Sequence, residues 1–374
     1  MLYIIQKTYI PNTAPANRLM AYARGLSELG IEATFVSFTP DEKFSRHDEQ
    51  LPHIHFKHYW ERWYFKGRNS KYISFFLYAV MFAFGLKKED KVLFYGAADY
   101  MHLILRLRKN INYYVEKTEY PGTSMLKTRF GENSLDDYLK ECRRANGVFV
   151  ISTALKEYFI EKGVAENKVH IINMMVDPTR FNGLRKEPAE RYIAYCGAAD
   201  NSKDGVDCLL KAFSIVSDTH HDVKLYIIGP VPNNKDASAN INLAKELGVS
   251  DRVVFTGTVS SEKIPQILKN AEILALARPS NIQAKYGFPT KLGEYLLTEN
   301  PVVLTDVGDV SLFLEDGVSA FIAKPNDERD FANKLLSVLS NREDSIAVGK
   351  QGSIVARNSF DCIKESKKLY SIIN

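Results

Sequence analysis

The sequence predicts an α/β protein made of two Rossmann-like domains that face each other across a crevice. Short apolar strands alternate with helical patterns along the chain, and this alternation starts again near residue 192. The chain has 374 residues, which is more than one ordinary hydrophobic core accommodates. Strands and helices that alternate in this way build parallel sheets, and ligands bind at the carboxyl ends of such strands.

The first half of the chain supplies one sheet. Residues 17–29 carry apolar side chains on one helical face, and Gly30 is placed to end that helix. A strand on either side of the helix makes a βαβ unit. The candidate strands are Leu2–Gln6, Ala33–Phe38, Lys91–Tyr95, Tyr113–Glu116, Gly147–Ser152 and Lys168–Asn173.

The second half repeats the pattern after a polar stretch at 177–191, which predicts an interdomain linker. We place the domains at 1–182 and 183–358. The candidate strands of the second domain are Tyr192–Cys196, Lys224–Gly229, Val253–Phe255, Ile273–Ala277, Val302–Thr305 and Ala320–Ala323.

Composition argues against several classes of protein. The net charge is only +4, which does not favour a nucleic-acid-binding protein. The four cysteines form no C-x-x-C pair and have no histidines at metal-ligand spacing, so neither a disulfide framework nor a metal site is expected. Residues 1–12 predict a buried first strand rather than a secretory signal. These observations favour the reducing cytoplasm.

The apolar run at 72–86 leaves two interpretations open. It is shorter than the roughly 20 residues that span a bilayer, so it predicts either a buried helix or a helix that contacts a membrane surface. Aromatic and basic residues at 60–71 precede it, as in interfacial segments. The second interpretation predicts peripheral attachment to the inner face of the membrane.

Residues 277–309 carry the clearest chemical pattern. A strand ends near Arg278, and a helix is predicted to begin at Pro289 and to run through Leu297. Free backbone N–H groups at that helix start would bind an anion such as a diphosphate. Lys291 lies in the first turn, and Glu294 is placed to accept hydrogen bonds from ribose hydroxyls. The simpler alternative is that Lys291 and Glu294 pair with each other on a solvated surface.

This run resembles the retaining glycosyltransferases of the GT-B fold, the group that includes bacterial capsule and lipopolysaccharide sugar transferases. The matching features are Gly287-Phe288-Pro289, Glu294, the Pro-Val-Val strand at 301–303 and Gly308. Their signature has a glutamate directly before Gly-Phe-Pro, where this chain has Tyr286. The resemblance implies a nucleotide-sugar donor held by the second domain, and it places Gly287, Phe288, Pro289, Thr290 and Tyr286 beside that donor.

A second match lies upstream, where Gly197 ends a strand and Lys203 precedes Gly205. In the family that lysine binds the donor diphosphate. The arginine that usually follows the glycine turn is replaced by alanine, so Arg278 or Lys291 would supply the second positive charge. Without the surrounding motif, Lys203 would be an ordinary solvated lysine.

The first domain matches less closely. Arg18, next to Asn17, stands where the family tends to place a basic residue on the first helix. Thr118 takes the position of a family histidine, and a hydroxyl can bind a sugar but cannot act as a base near neutral pH. Glu116 or Glu119 would face the crevice instead, although acidic residues after strands often only cap helices. These five residues are the candidate acceptor side.

The resemblance thus implies transfer of a sugar, with retention, from a nucleotide sugar to a glycan or lipid-linked acceptor hydroxyl. Lys203, Lys291 and Glu294 would carry the reaction, without metal or cofactor. The resemblance also implies that a final helix, 359–374, returns to the first domain. Two alternatives remain: a sugar-nucleotide epimerase, and a non-catalytic relative that binds nucleotide sugars or glycans.

Overall fold

The computed structural model describes most of the chain. The described residues are 1–6, 13–37, 51–58, 70–96, 98–122, 127–128, 131–132, 135–187, 190–230 and 235–374. The predicted interfacial segment at 60–71 lies outside them, apart from the first two residues of a helix at 70 and 71.

The chain folds into two compact units. Unit 1 contains residues 1–175 and 362–374, and unit 2 contains residues 176–361. The division therefore falls before the polar stretch at 177–191, whereas we expected it at 182. The Val176 N–H donates to the Phe360 carbonyl over 2.9 Å, and Val176 pairs with Asp361 in a parallel bridge. The two chain segments that connect the units thus lie side by side at these residues.

Unit 1 is a seven-stranded sheet in the order β3-β2-β1-β4-β5-β8-β9, with every pair parallel. Its strands are β1 (Leu2–Gln6), β2 (Ala33–Ser37), β3 (Ile54–His58), β4 (Lys91–Tyr95), β5 (Asn112–Lys117), β8 (Gly147–Val150) and β9 (Val169–Ile171), with a small antiparallel pair of β6 (Lys127–Thr128) and β7 (Gly131–Glu132). Its helices are α1 (Ala14–Glu28), α2 (Ser70–Gly85), α3 (Ala98–Leu107), α4 (Leu135–Arg144), α5 (Thr153–Glu161) and α14 (Cys362–Ile373).

The final helix packs on the first helix of unit 1, as the resemblance implied. A Cβ at Gly25 would lie 2.3 Å from the Cys362 carbonyl oxygen, so only glycine permits this approach of α1 and α14. Leu369 and Ile373 are buried against the same core. Burial of each such side chain contributes about 1.5–3 kcal/mol. The helix begins at Cys362 rather than at 359, because a separate helix ends at Ser359.

The apolar run forms α2, and only one side of this helix is buried along 76–85, the part whose side chains the structure describes. Tyr78, Ala79, Phe82 and Ala83 face the interior. The other side exposes a set of apolar residues that we call the α2 apolar face: Phe76, Leu77, Met81 and Phe84, between 42% and 68% exposed. Along 76–85, the interpretation as a buried helix therefore holds for one side of α2 and not for the other. No helix among the described residues is long and apolar enough to cross a membrane.

Unit 2 is a six-stranded parallel sheet in the order β12-β11-β10-β13-β14-β15. Its strands are β10 (Tyr192–Cys196), β11 (Lys224–Ile228), β12 (Val253–Gly257), β13 (Ile273–Leu276), β14 (Val302–Thr305) and β15 (Phe321–Ala323). Its helices are α6 (Asn201–Asp204), α7 (Val206–Ser217), α8 (Lys235–Glu246), α9 (Ile264–Asn270), α10 (Ile282–Tyr286), α11 (Leu292–Leu297), α12 (Glu328–Ser340) and α13 (Arg342–Ser359).

The strand order of unit 2 reverses between β10 and β13. At such a switch point the connections leave the sheet in opposite directions and open a crevice at the carboxyl ends of the two strands. Gly197 is the first residue after β10, and Arg278 is the second residue after β13. The residues singled out in the sequence thus meet at the position where this fold binds ligands.

One predicted helix start is wrong. The helix that carries Glu294 begins at Leu292, not at Pro289, and residues 287–290 precede it without regular structure. Lys291 is its N-cap and Glu294 lies in its first turn. Residues 287–290 therefore lie before the helix, and a helix of only six residues has a weak dipole. The helix start thus does not support the anion-binding role predicted for the N–H groups of 287–290.

Candidate active site

The site begins with a close crossing of two backbones after β10. The Gly197 N–H donates to the Ile228 carbonyl over 2.8 Å. Gly229 has a φ of 141°, and a Cβ there would lie 2.1 Å from the Gly197 carbonyl oxygen. A side chain at Gly229 would push the two backbones apart, and a side chain at Gly197 would displace the side chains of Lys291 and Tyr195.

The short helix α6 holds Lys203 by its backbone. The Asp200 carboxylate caps this helix and accepts the Lys203 N–H at 2.9 Å. The Lys203 carbonyl accepts from Nε of Arg278 at 3.1 Å. Gly205 follows with a φ of 66°, and a Cβ there would lie 1.9 Å from the Ala277 carbonyl oxygen. The Lys203 side chain is therefore at an exposed position on a rigid backbone.

The centre of the site is a buried carboxylate that the sequence analysis did not single out. Asp204 Oδ2 accepts from Nζ of Lys291 at 2.5 Å and from the Tyr195 hydroxyl at 2.7 Å. The Lys291 side chain passes directly over Gly197, because a Cβ on that glycine would lie 2.3 Å from the lysine Cε. Lys291 is thus paired with Asp204 and not with Glu294.

Burial and charge act in opposition at this pair. Burial of Asp204 disfavours its charged form, but the Lys291 ammonium, the Tyr195 hydroxyl and the Arg278 charge together lower its pKa below the usual value. Burial also lowers the pKa of Lys291, and Asp204 offsets part of that effect. Asp204 thus holds Lys291 in place, while Arg278 is held by the carbonyl of the neighbouring Lys203.

Glu294 forms an ion pair with Arg180, which lies 114 residues earlier in the chain. Arg180 belongs to a 3-10 turn at Pro178–Phe181 and also donates to the Ser261 carbonyl over 3.0 Å. The side chains of Glu294 and Arg180 are 20% and 30% exposed, so the pair lies at the edge of the site. The carboxylate keeps acceptor capacity beyond this pair, because its two oxygens have about four lone-pair directions.

The next residue on α11 connects this helix to the glycine turn. Tyr295 is buried, and its hydroxyl accepts the Cys196 N–H at 2.6 Å. Burial and, to a lesser extent, the Glu294 charge raise the pKa of the Cys196 thiol to about 12, although the charges of Lys291 and Arg180 act in the opposite direction. Cys196 is therefore a protonated thiol at neutral pH.

The residues at 286–290 have mixed positions. Phe288 is buried against Phe313 and Phe360, with ring centroids 5.6 and 5.5 Å away, so its side chain positions the segment. Gly287 is buried and its N–H donates to the Gln283 carbonyl at the end of α10. Of the remaining candidates, Thr290 is exposed, Tyr286 is half-buried and Pro289 is buried.

In unit 1, two candidate acceptor residues are committed to the interior. Arg18 Nε donates to Glu116 at 2.5 Å, and the two residues are only 5% and 3% exposed. Arg18 also donates to the carbonyls of Ile172 and Asn173. This buried network ties α1 to β5 and to the segment after β9, so the side chains of Arg18 and Glu116 do not lie on an open surface.

The other three acceptor-side candidates lie nearer to solvent. Asn17 and Glu119 are exposed, and Thr118 is half-buried with its hydroxyl bonded to Tyr95. No group of three or more His, Cys, Asp or Glu side chains could hold a metal ion within the part of the chain that the structure describes.

Sequence comparison connects unit 2 to known proteins. Residues 190–341 match the family model described as glycosyl transferases group 1. A D-inositol 3-phosphate glycosyltransferase of Nocardia farcinica is 25% identical over 194 residues, 48% of this chain and 42% of that protein. A mannosylfructose-phosphate synthase of Agrobacterium fabrum is 22% identical over 276 residues, 69% of this chain and 59% of that protein. The chain thus spans about half the length of these two relatives.

Solved structures share the fold of the whole chain. A glycosyltransferase from Rickettsia africae has a TM-score of 0.76 at 16% identity, over 100% of this chain and 97% of its own. HepE of Anabaena, solved with UDP and glucose, has a TM-score of 0.75 at 15% identity, over 99% and 98% of the two chains. Residues 190–341 are therefore similar to the group 1 glycosyltransferases, and the two parallel-sheet units share the GT-B fold of these solved structures.

Proposed function

We propose that the chain transfers a sugar, with retention at the anomeric carbon, from a nucleotide sugar to a hydroxyl of a glycan or lipid-linked acceptor. The observation that carries this proposal is the set of charged side chains at the carboxyl ends of β10 and β13. The cations there are Lys203, Lys291 and Arg278. Glu294, in the first turn of α11 after Lys291, adds a carboxylate. This arrangement suits a donor that joins a diphosphate to a ribose.

In the proposed complex, Lys203 binds the diphosphate. Its backbone is held on both sides by Asp200 and Arg278, so no backbone segment has to become ordered when the side chain meets an anion. Lys291 and Arg278 add positive charge beneath it. Stabilisation of the departing diphosphate is the main requirement of a transfer that passes through an oxocarbenium-like state.

Glu294 accepts hydrogen bonds from the ribose hydroxyls in the same proposal. The ion pair with Arg180 holds its carboxylate in one orientation before the donor arrives. On the acceptor side, Asn17, Thr118 and Glu119 remain the candidates, because Arg18 and Glu116 are buried against each other. The cations of the chain itself neutralise the leaving group, so we propose that neither a metal ion nor a cofactor is needed.

The relatives support this class of substrate. The structure of HepE was solved with UDP and glucose, and the Nocardia relative is named for transfer to D-inositol 3-phosphate. We therefore expect a sugar nucleotide as donor and a hydroxyl group as acceptor for this chain, in the cytoplasm as the sequence predicts.

A lipid-linked acceptor would place the enzyme at a membrane, and the α2 apolar face supports peripheral attachment there. The exposed lysines Lys87 and Lys88 directly follow this helix. Arg108 donates to the Leu86 carbonyl over 2.5 Å, which brings the basic end of α3 beside them. An apolar face with a basic border suits an anionic lipid surface. We propose that surface as the docking partner of α2.

The activity is tested with a panel of sugar nucleotides. A donor present at 100 times its dissociation constant should add about 2.7 kcal/mol of stability in a thermal-shift assay. With the stabilising donor and an acceptor, the enzyme should release free nucleotide and form an α- or β-linkage that matches the donor. Interconversion of sugar nucleotides without nucleotide release would instead show an epimerase, and binding without turnover would show a non-catalytic relative.

Attachment is tested by co-sedimentation with vesicles that contain anionic lipid. The wild type should sediment at low salt, and Phe84→Ser combined with Met81→Ser should abolish this. Leu312→Ser is the matched control, because Leu312 is 65% exposed in unit 2. Failure of the wild type to sediment, or equal loss in the control, would contradict attachment through α2.

A further inference from the structure

Unit 2 contains a cavity at the edge of its sheet opposite to the candidate active site. Arg191 precedes β10, Ile273 begins β13 and Pro301 precedes β14, so these lining residues mark the amino ends of the strands. Gly197 and Arg278 mark the carboxyl ends of the same strands. The cavity is therefore separate from the crevice assigned to the donor.

The lining of the cavity is rich in cations. Two glutamates, Glu272 and Glu299, also line it. Cationic side chains thus outnumber the carboxylates of the lining. The cations are Lys186, Arg191, Lys269, Arg342 and Lys350.

Both carboxylates already have cationic partners. Glu272 is 8% exposed and pairs with Arg191 at 3.0 Å and with Arg342 at 3.6 Å. Glu299 pairs with Lys269 at 3.4 Å. Arg191 also pairs with Asp222 at 2.6 Å, so three carboxylates pair with Arg191, Arg342 and Lys269. Lys186 and Lys350 supply the remaining positive charge of the lining.

Lys186 lines the cavity and uses its ammonium group to contact a backbone carbonyl. Its Nζ donates to the Ala271 carbonyl over 2.8 Å, which uses one of its three N–H donors. Burial lowers its pKa, and Glu272 offsets that effect only in part. The rest of the side chain is exposed, so the remaining N–H donors of Lys186 are accessible to an anion in the cavity.

The volume of the cavity and its apolar lining residues limit the class of ligand that it can hold. The cavity has a volume of about 210 Å³. Ile273, Pro301 and Val338 give it an apolar side. A single phosphate group with a short carbon body fits this volume and this mixture of walls, whereas a whole nucleotide sugar does not.

We propose that this cavity is a binding site for a small phosphate monoester, separate from the donor site. The phosphate lies among Lys186, Arg342 and Lys350, and the carbon body lies against the apolar side. The proposal does not depend on the function proposed for the carboxyl-end site.

The probe is glycerol 3-phosphate, titrated into the full chain by calorimetry. Wild type should bind it, and Lys186→Gln combined with Arg342→Gln should weaken binding at least about tenfold. The matched control combines Lys211→Gln with Arg329→Gln, which removes the same charge from two exposed cations that do not line the cavity. Binding to the control should equal that of wild type.

Two further variants keep the result interpretable. Lys350 is exposed, so Lys350→Gln should leave the fold intact and still weaken binding about threefold or more. Lys203→Ala alters the proposed donor site and should bind the probe as wild type does. The proposal is overturned if wild type does not bind at millimolar probe, if Lys350→Gln and the control bind alike, or if Lys203→Ala alone loses binding.

Discussion

Glu294 and Arg180 form an ion pair that joins helix α11 to the 3-10 turn at the start of unit 2. Lys291, three residues before Glu294, pairs instead with Asp204. Two side chains that could have neutralised each other on one helix are each paired with a distant residue. As a result, both are held at the carboxyl ends of β10 and β13, where the fold opens a crevice.

Replacement of Lys203 by alanine should weaken donor binding by about 10- to 150-fold, since a hydrogen bond to a charged group is worth roughly 1.5–3 kcal/mol. The side chain is exposed, so the midpoint of thermal unfolding should change little. Calorimetric titration of the donor measures the effect. Lys211→Ala, an exposed lysine on α7, is the control. Equal donor affinity in the two variants would make Lys203 an ordinary surface lysine.

Replacement of Asp204 by asparagine should destabilise unit 2 by about 3 kcal/mol, because it leaves the Lys291 ammonium without its buried partner. Denaturant unfolding at pH 7 measures this, with the exposed Asp218→Asn as control.

The same aspartate predicts a dependence on pH. The pKa of Asp204 is lowered from 3.8 in the folded state. Its stabilisation is therefore fully present above about pH 4 and is lost as the pH falls through the lowered value. The difference in stability between wild type and Asp204→Asn should shrink below that pH. A difference that stays constant down to pH 3 would contradict the lowered pKa.

Gly205 and Gly30 allow a matched test of backbone packing. Both have positive φ angles, 66° and 67°, but a Cβ at Gly30 would meet nothing within 4 Å. Gly30→Ala should therefore cost only the strain of the left-handed conformation, about 1 kcal/mol. Gly205→Ala should cost at least about 3 kcal/mol, since its Cβ would collide with the Ala277 carbonyl. Equal unfolding free energies in the two variants would mean that α6 does not contact β13 as described.

The thiol of Cys196 should react slowly with iodoacetamide. A pKa of about 12, against 9.0 for an unperturbed thiol, lowers the thiolate fraction at pH 8 by about a thousandfold. The rate, followed by mass spectrometry of the native protein, should continue to rise above pH 10. Glu294→Gln should increase it, because the Glu294 charge raises this pKa. A rate that levels off near pH 9 would contradict the burial of this thiol.

The periodic apolar runs were sufficient to predict most of the fold. The strands at Leu2–Gln6, Lys91–Tyr95, Tyr192–Cys196 and Val302–Thr305 have the predicted bounds, because buried parallel strands are continuous apolar segments between polar ones. The helix start at Pro289 was wrong, since proline is favourable in a first helical turn but equally stable in irregular backbone. The start of the last helix was expected at 359 and lies at Cys362, because no proline or glycine marks the boundary at that point.

The partners within the site could not be predicted from the sequence. The ion pair of Arg180 with Glu294 joins residues 114 positions apart, and only the three-dimensional packing of unit 2 brings them together. No sequence pattern distinguished Asp204, which directly follows Lys203. The sequence also did not indicate that Arg18 and Glu116 pair with each other inside unit 1. A local pattern indicates which residue types are available, but not which charges are already paired.

The central claim is that Glu294 binds the ribose of the donor, and one measurement tests it directly. A carboxylate can accept from both ribose hydroxyls, whereas glutamine has only one acceptor oxygen. Donor affinity is measured for wild type and Glu294→Gln, each with the full donor and with an analogue that lacks the ribose hydroxyls. Glu294→Gln should bind the full donor at least about tenfold more weakly, a loss of roughly 1.4 kcal/mol. Wild type should lose affinity for the analogue, and the variant should lose little more. If both proteins prefer the full ribose by the same factor, Glu294 does not contact it and the site assignment is wrong.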